Sequence, residues 1–134
     1  MGKFLAGIIL LSLSLTTSAE SFKEVVQKSE LSIKSCQKKA SASAAWNACI
    51  LDEADLIYQK GLVQYGKRLS EERDDLDEQA VIKRDREAID VLISSCETYT
   101  FLSSPKFTDR ANCRLGSSKV FLKYFLDKDY HLSN

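Results

Sequence analysis

The spacing of four cysteines constrains the fold of this 134-residue chain more than any other feature of the sequence. They stand at positions 36, 49, 96 and 113, so they form two neighbouring pairs separated by a long middle segment. An even number of cysteines without a CxxC spacing is typical of disulfides in an exported protein and not of a zinc site. Disulfides between these cysteines are therefore expected if the chain leaves the cytosol.

The first 19 residues have the order of a cleavable secretory signal peptide. Lys3 is their only charged residue, an apolar run follows over 4–15, and small residues precede the expected cleavage site after Ala19. This run of about a dozen residues is too short to span a bilayer, which needs about 20. Residues 20–134 are thus predicted to form one domain, periplasmic or secreted, with no membrane attachment after cleavage.

Apolar residues in the exported part recur every three or four positions, as they do on one face of a helix. Four helices are predicted: 21–39, a second from an N-cap at Ser43 to about 69, 77–101, and a fourth from an N-cap at Thr108 to about 128. The second helix carries two apolar strips and is expected at the centre of the bundle. The predicted fold class is therefore all-α, a four-helix bundle-like domain.

Several positions within these helices carry specific expectations. Cys36 is expected on or near the buried stripe of the first helix, and Trp46 on the second apolar strip of the second helix. Gly61 and Gly66 are expected to bend or fray the last turns of that helix, because glycine costs about 1 kcal/mol relative to alanine in a helix interior. Gly116 is expected to interrupt the fourth helix.

Each pair of neighbouring cysteines is centred on a predicted turn. The midpoint of Cys36 and Cys49 falls between the first two helices, and that of Cys96 and Cys113 falls beside Pro105. Residues equidistant from the turn of an antiparallel hairpin lie at about the same height on facing helices. The sequence therefore predicts two helical hairpins, each stapled by a disulfide that contributes on the order of 3 kcal/mol.

No catalytic, cofactor-binding or metal-binding motif is present in the sequence, so no residue is assigned to these roles and the chain is predicted not to be an enzyme. The single histidine, His131, lies close to the C-terminal end without a paired nucleophile. The acidic stretch 70–78 is interpreted as a solvated connection. Without the leader, 18 basic residues face 19 acidic ones, and this balance argues against nucleic-acid binding, which needs clustered positive charge.

Two groups of aromatic residues are predicted to pack in the core. Tyr58 and Tyr65 are seven positions apart on the second helix, with hydroxyls expected to reach an edge. Phe121, Tyr124 and Phe125 are interpreted as the core face of the fourth helix, and a partner-binding patch is the alternative.

The residues around the cysteines resemble the LprI-type lysozyme-inhibitor family of exported bacterial proteins. The resemblance covers residues 36–125 and rests on Trp46-Asn47-Ala48-Cys49, Glu53-Ala54-Asp55-Leu56, Tyr58, Cys96, Cys113 and Leu115. It implies a small helical domain with paired cysteines, and some members of the family inhibit lysozyme. The chain departs from the family over 88–92, where the family usually carries a tryptophan and an Arg-Asp pair. No inhibitory residue is transferred.

The predicted function is binding of another exported protein, such as a cell-wall hydrolase. A lysozyme-inhibitor-like role and an immunity role against a cell-wall-attacking toxin both fit a small exported domain without catalytic motifs. The alternatives are a helical carrier of a small apolar ligand and a cell-envelope enzyme. Protein binding predicts an exposed patch beyond the core, whereas an enzyme requires a concave site with titratable groups close together.

Overall fold

The computed structural model describes residues 20–73, 75–103 and 107–126. They form four helices, α1 (Phe22–Gln37), α2 (Ser43–Glu72), α3 (Glu78–Ser103) and α4 (Phe107–Leu126). No strand occurs within these ranges, and the predicted all-α bundle is confirmed. The predicted leader 1–19, the turn at Pro105 and the histidine His131 lie outside the described residues.

The helix starts differ from those predicted. α1 begins with a capping box, in which the Ser21 hydroxyl accepts from the Glu24 amide and the Glu24 carboxylate accepts from the Ser21 amide at 2.8 Å. The two caps predicted from the sequence are wrong: Ala42 is the N-cap of α2 and Ser43 lies inside the helix, while Thr108 lies inside α4. A side-chain cap contributes only about 1 kcal/mol, which tertiary packing of the helix outweighs.

Helix α2 packs against the three other helices, as its two apolar strips predict. One side of α2 contributes Ile50, Ala54 and Ile57 to a cluster with residues of α1 and α4. On its other side, Tyr58 and Leu62 pack against isoleucines of α3. Both core clusters therefore depend on α2.

The predicted fraying of α2 at its glycines is not observed, because these glycines are contact points with other helices. A Cβ atom at Gly61 would lie 2.5 Å from Phe121 Cδ1 on α4, and one at Gly66 would lie 2.9 Å from the Glu78 carbonyl oxygen at the start of α3. Neighbouring helices thus pack against the bare backbone. The predicted interruption at Gly116 is also wrong, since α4 continues through it.

Two residues predicted to face the core are exposed, Cys36 and Trp46. They lie in the last turn of α1 and the first turn of α2, at the end of the bundle. Periodicity shows which face of a helix is apolar, but burial also requires a neighbouring helix that extends over that turn.

Candidate functional site

The structure joins Cys36 to Cys49 and Cys96 to Cys113, with Cα atoms 5.8 and 6.0 Å apart. Both separations are usual for disulfides, and the predicted pairing is confirmed. Each bond links two helices that follow each other in sequence. We call α1 with α2 the first hairpin and α3 with α4 the second hairpin.

The disulfides also indicate the compartment of the protein. None of the four cysteines is free, and disulfides persist in oxidising surroundings such as the periplasm or the cell exterior. Within the part of the chain that the structure describes, no helix is long and apolar enough to span a bilayer.

An uncharged apolar surface lies on the outside of the second hairpin. The exposed fractions are 68% for Val91 and 71% for Leu92 on α3, and 61% for Val120 and 44% for Tyr124 on α4. We call these four residues, together with Gly116, the α3–α4 face. Single exposed apolar residues are common on protein surfaces, but a contiguous group of them marks an interaction surface.

A hollow of about 570 Å³ gives this face its shape. The described residues that line it are all uncharged: Leu92, Ile93, Cys113, Gly116, Ser117, Val120, Phe121 and Tyr124. No atom lies within 4 Å of the position that a Cβ of Gly116 would occupy, so a partner can approach the α4 backbone closely there. The Tyr124 ring packs edge-on against Phe125, with ring centroids 4.9 Å apart, and still exposes 44% of its surface.

The charges of α4 explain why the α3–α4 face has none. Three cations of α4 are directed at the first hairpin: Arg114 Nη2 lies 2.9 Å from Asp55 Oδ1, Lys119 Nζ lies 4.0 Å from Glu30 Oε1, and Lys123 Nζ lies 6.0 Å from the centroid of the Phe22 ring. Gly116, Val120 and Tyr124 are spaced by four residues and therefore form a row along the helix. These charged groups thus extend to the first hairpin, against which buried residues of α4 such as Leu122 also pack.

Of the aromatic group interpreted from the sequence as the core face of α4, with a partner-binding patch as the alternative, Tyr124 lies on the α3–α4 face. The prediction is wrong for Tyr124, while Phe121 and Phe125 are partly buried as expected and contact Tyr65 with ring centroids 6.3 and 5.3 Å away. On α3, Ile89 and Ile93 already fill the buried side. Val91 and Leu92 do not share the four-residue spacing of Ile89 and Ile93. This was the feature of the sequence that could have indicated their exposure.

A polar cleft of about 360 Å³ separates α2 from α3 and α4, and it is the concave site that an enzyme hypothesis would use. In it, the Tyr58 hydroxyl donates to Asp90 Oδ1, and Arg86 Nε lies 3.9 Å from Asp90 Oδ2. The other carboxylate of the cleft, Asp55, accepts from Arg114. Burial and then the hydrogen bond to Asp90 raise the pKa of Tyr58, so the phenol stays protonated. The arrangement suits a polar link between helices, because both carboxylates already have donors.

A second tyrosine makes the same kind of link one level further along α2. The Tyr65 hydroxyl donates to Asp85, and Arg84 donates to the same carboxylate twice at 2.6 Å. The hydrogen bonds from Arg84, and then from Tyr65, hold the pKa of Asp85 at about 2. The prediction that the hydroxyls of Tyr58 and Tyr65 reach an edge of the core is confirmed.

Neither a metal site nor a relative adds to these surfaces. Over residues 20–73, 75–103 and 107–126, no three His, Cys, Asp or Glu side chains are grouped so that they could hold a metal ion. The resemblance to the LprI-type family remains a prediction from the sequence. No protein-family model matches the chain, and neither the curated proteins nor the solved structures contain a significant match to it.

Proposed function

We propose that this protein is an exported binding protein that recognises another protein through the α3–α4 face. The observation that carries the proposal is the exposure of Leu92, Val120 and Tyr124 around one hollow lined by uncharged described residues, with Val91 exposed next to Leu92. Burying a large apolar side chain contributes about 1.5–3 kcal/mol. A partner that covers these four exposed side chains would therefore gain binding free energy from their burial. A tyrosine beside aliphatic residues is typical of the centre of an interface.

The compartment of the proposed activity is the periplasm or the cell exterior. The predicted leader over 1–19 would direct the chain there, and the two disulfides are compatible with that destination. The partner is then another exported protein.

We favour a cell-wall hydrolase as this partner, either a lysozyme inhibited by the protein or a toxin to which it gives immunity. The resemblance of residues 36–125 to the LprI-type lysozyme-inhibitor family supports this choice. The segment over which the chain departs from that family contributes Val91 and Leu92 to the α3–α4 face. The hydrolase that it recognises is therefore expected to differ from the targets of that family.

Capture from envelope extract with a charge placed on the face tests the proposal. Leu92→Asp is compared with Leu31→Asp, because Leu31 on α1 is similarly exposed, at 67%, and lies outside the face. Immobilised wild-type protein and Leu31→Asp should retain the same hydrolase and inhibit it, while Leu92→Asp should bind at least about tenfold more weakly. Purified lysozymes serve as named candidates in the same assay.

Two outcomes would contradict the proposal. One is equal capture by wild-type protein and Leu92→Asp, which would place the contact elsewhere. The other is recovery of no protein by the wild type, together with a copurified small molecule. Circular dichroism of each variant checks that the fold is retained, so that lost binding is not a consequence of unfolding.

A further inference from the structure

A groove of about 580 Å³ lies between the beginning of α1, the second half of α2 and the end of α4. Its apolar wall is formed by Val25, Leu56, Val63, Leu122 and Leu126. Lys60, Lys67 and Glu20 line it together with glutamines. None of these residues belongs to the α3–α4 face.

The groove exists because the two helices of the first hairpin differ in length. α1 has 16 residues and α2 has 30, and the Cys36–Cys49 bond ties the end of α1 to the beginning of α2. α1 therefore begins beside the middle of α2, where Lys60 Nζ lies 2.5 Å from Glu20 Oε2. Beyond this point no residue of α1 lies over α2, and Val63 is left exposed.

The rim of the groove carries an excess of positive charge. Glu20 is shared by Lys60 and Lys28, each with Nζ 2.5 Å from one of its carboxylate oxygens. Lys67 forms no ion pair with any carboxylate among the described residues. Among the residues that line the groove, one carboxylate therefore accompanies two ammonium groups, and a ligand that brings a second carboxylate would balance the charge.

We propose that this groove binds one long-chain fatty acid, with its carboxylate at Lys67 and Lys60 and its acyl chain along Val63, Leu56 and Leu126. The stretch of α2 from Leu56 to Lys67 is about 16 Å long at the rise of an α-helix, which accommodates most of a long acyl chain. The volume lies within the usual range of small-molecule sites, about 300–1,000 Å³. A polar metabolite would leave the apolar wall in contact with water, and a neutral hydrocarbon would give the Lys67 ammonium group no opposite charge.

Direct titration with palmitate tests the proposal. Oxidised protein comprising residues 20–134 should bind one palmitate per chain in calorimetry. Lys67→Glu should weaken binding at least tenfold, and Val63→Asp should do the same by placing a carboxylate on the apolar wall. The matched control is Lys83→Glu, which changes net charge equally at an exposed lysine of α3 and should leave the dissociation constant within twofold.

Further ligands separate the chemistry of the site from other occupants. Methyl palmitate, which lacks the carboxylate, should bind at least tenfold more weakly than palmitate. Vesicles of phosphatidylglycerol should not retain the protein; retention on vesicles without palmitate binding would overturn the proposal in favour of a lipid surface. Palmitate binding that appears only after deletion of 127–134 would overturn it as well, since the chain itself would then occupy the groove.

The remaining outcomes are equally decisive. Absence of saturable palmitate binding, or binding that Lys67→Glu leaves unchanged, contradicts the proposal. So does a dimer in sedimentation that Val63→Asp dissociates, because a second copy would then cover the groove. Leu92→Asp should retain palmitate binding, so failure at this site and failure of the proposed protein binding can be told apart.

Discussion

The two hairpins are built alike but present different outer surfaces. Both consist of sequential helices joined by one disulfide, with cysteines 13 and 17 residues apart. The exposed apolar residues of the first hairpin lie among charged ones, since Leu31 and Trp46 share a hollow with Lys34 and Lys38. In the second hairpin, the described residues that line the hollow of the α3–α4 face are all uncharged. The same architecture thus carries exposed apolar side chains beside charges in one hairpin and away from charges in the other. This difference is the reason for assigning the face to binding.

The hairpins also differ in how firmly their helices are embedded. α1 packs mainly against α2, with a smaller contact to α4, and its buried residues are Val25 and Ser29. α3 and α4 pack against each other and both pack against α2. The first disulfide therefore retains a peripheral helix, while the second reinforces helices that the core already holds.

Removal of each disulfide should have the largest effect and should separate these two roles. Cys96→Ala with Cys113→Ala should lower the free energy of unfolding of the whole domain by about 3 kcal/mol in urea denaturation. Cys36→Ala with Cys49→Ala should instead release α1, with loss of amide hydrogen-exchange protection confined to Phe22–Gln37. Unchanged protection of α1 in the second variant would show that packing alone retains it.

Glycine replacements should act in opposite directions in the two hairpins. Gly61→Ala in the first hairpin should lower stability by about 2 kcal/mol, because the new Cβ forces Phe121 to move. Gly116→Ala in the second should raise stability by about 1 kcal/mol, because it gains helix propensity in open space. Urea denaturation measures both, and a stabilised Gly61→Ala would contradict the close packing of α4 on α2.

The polar links between the hairpins should contribute less. Tyr58→Phe should lower the free energy of unfolding by about 1 kcal/mol, because it removes the hydroxyl that Asp90 accepts. Tyr65→Phe should cost less, since Asp85 keeps two hydrogen bonds from Arg84. A double-mutant cycle of Tyr58→Phe with Asp90→Asn isolates the interaction, and a coupling energy near zero would disprove it.

Acid should produce the smallest effect, with one contribution from each hairpin. Hydrogen bonds from Lys28 and then Lys60 hold the pKa of Glu20 at about 2, and Arg84 and then Tyr65 do the same for Asp85. Both pKa values are lower in the folded state, so the stabilisation is present above the unfolded values near 4 and is lost as pH falls towards 2. Glu20→Gln and Asp85→Asn should each flatten the pH dependence of urea unfolding between pH 5 and pH 2. Since Glu20 is exposed, about 1 M salt should remove its share, and a salt-independent profile would contradict this.

The features that were predictable from sequence are local or symmetric about a turn. Helical periodicity gave the four helices, and equal distances from two turns gave the pairing of Cys36 with Cys49 and of Cys96 with Cys113. The contact of Gly61 with Phe121 was not predictable, because it joins residues far apart in sequence and glycine alone indicates only a weak helix. The exposure of Trp46 was missed for a similar reason: a helix with more than one apolar strip does not reveal which part of each strip a neighbour covers.

The two glycines at the contacts of α2 have a consequence for the order of folding. Helix α2 on its own combines Gly61 and Gly66 with a start that lacks a side-chain cap, so its second half should have little helical structure as an isolated peptide. The same glycines stabilise that half once Phe121 and the beginning of α3 pack against it. The central helix is thus completed by its neighbours and does not serve as a preformed template, and we expect the domain to fold in one cooperative step.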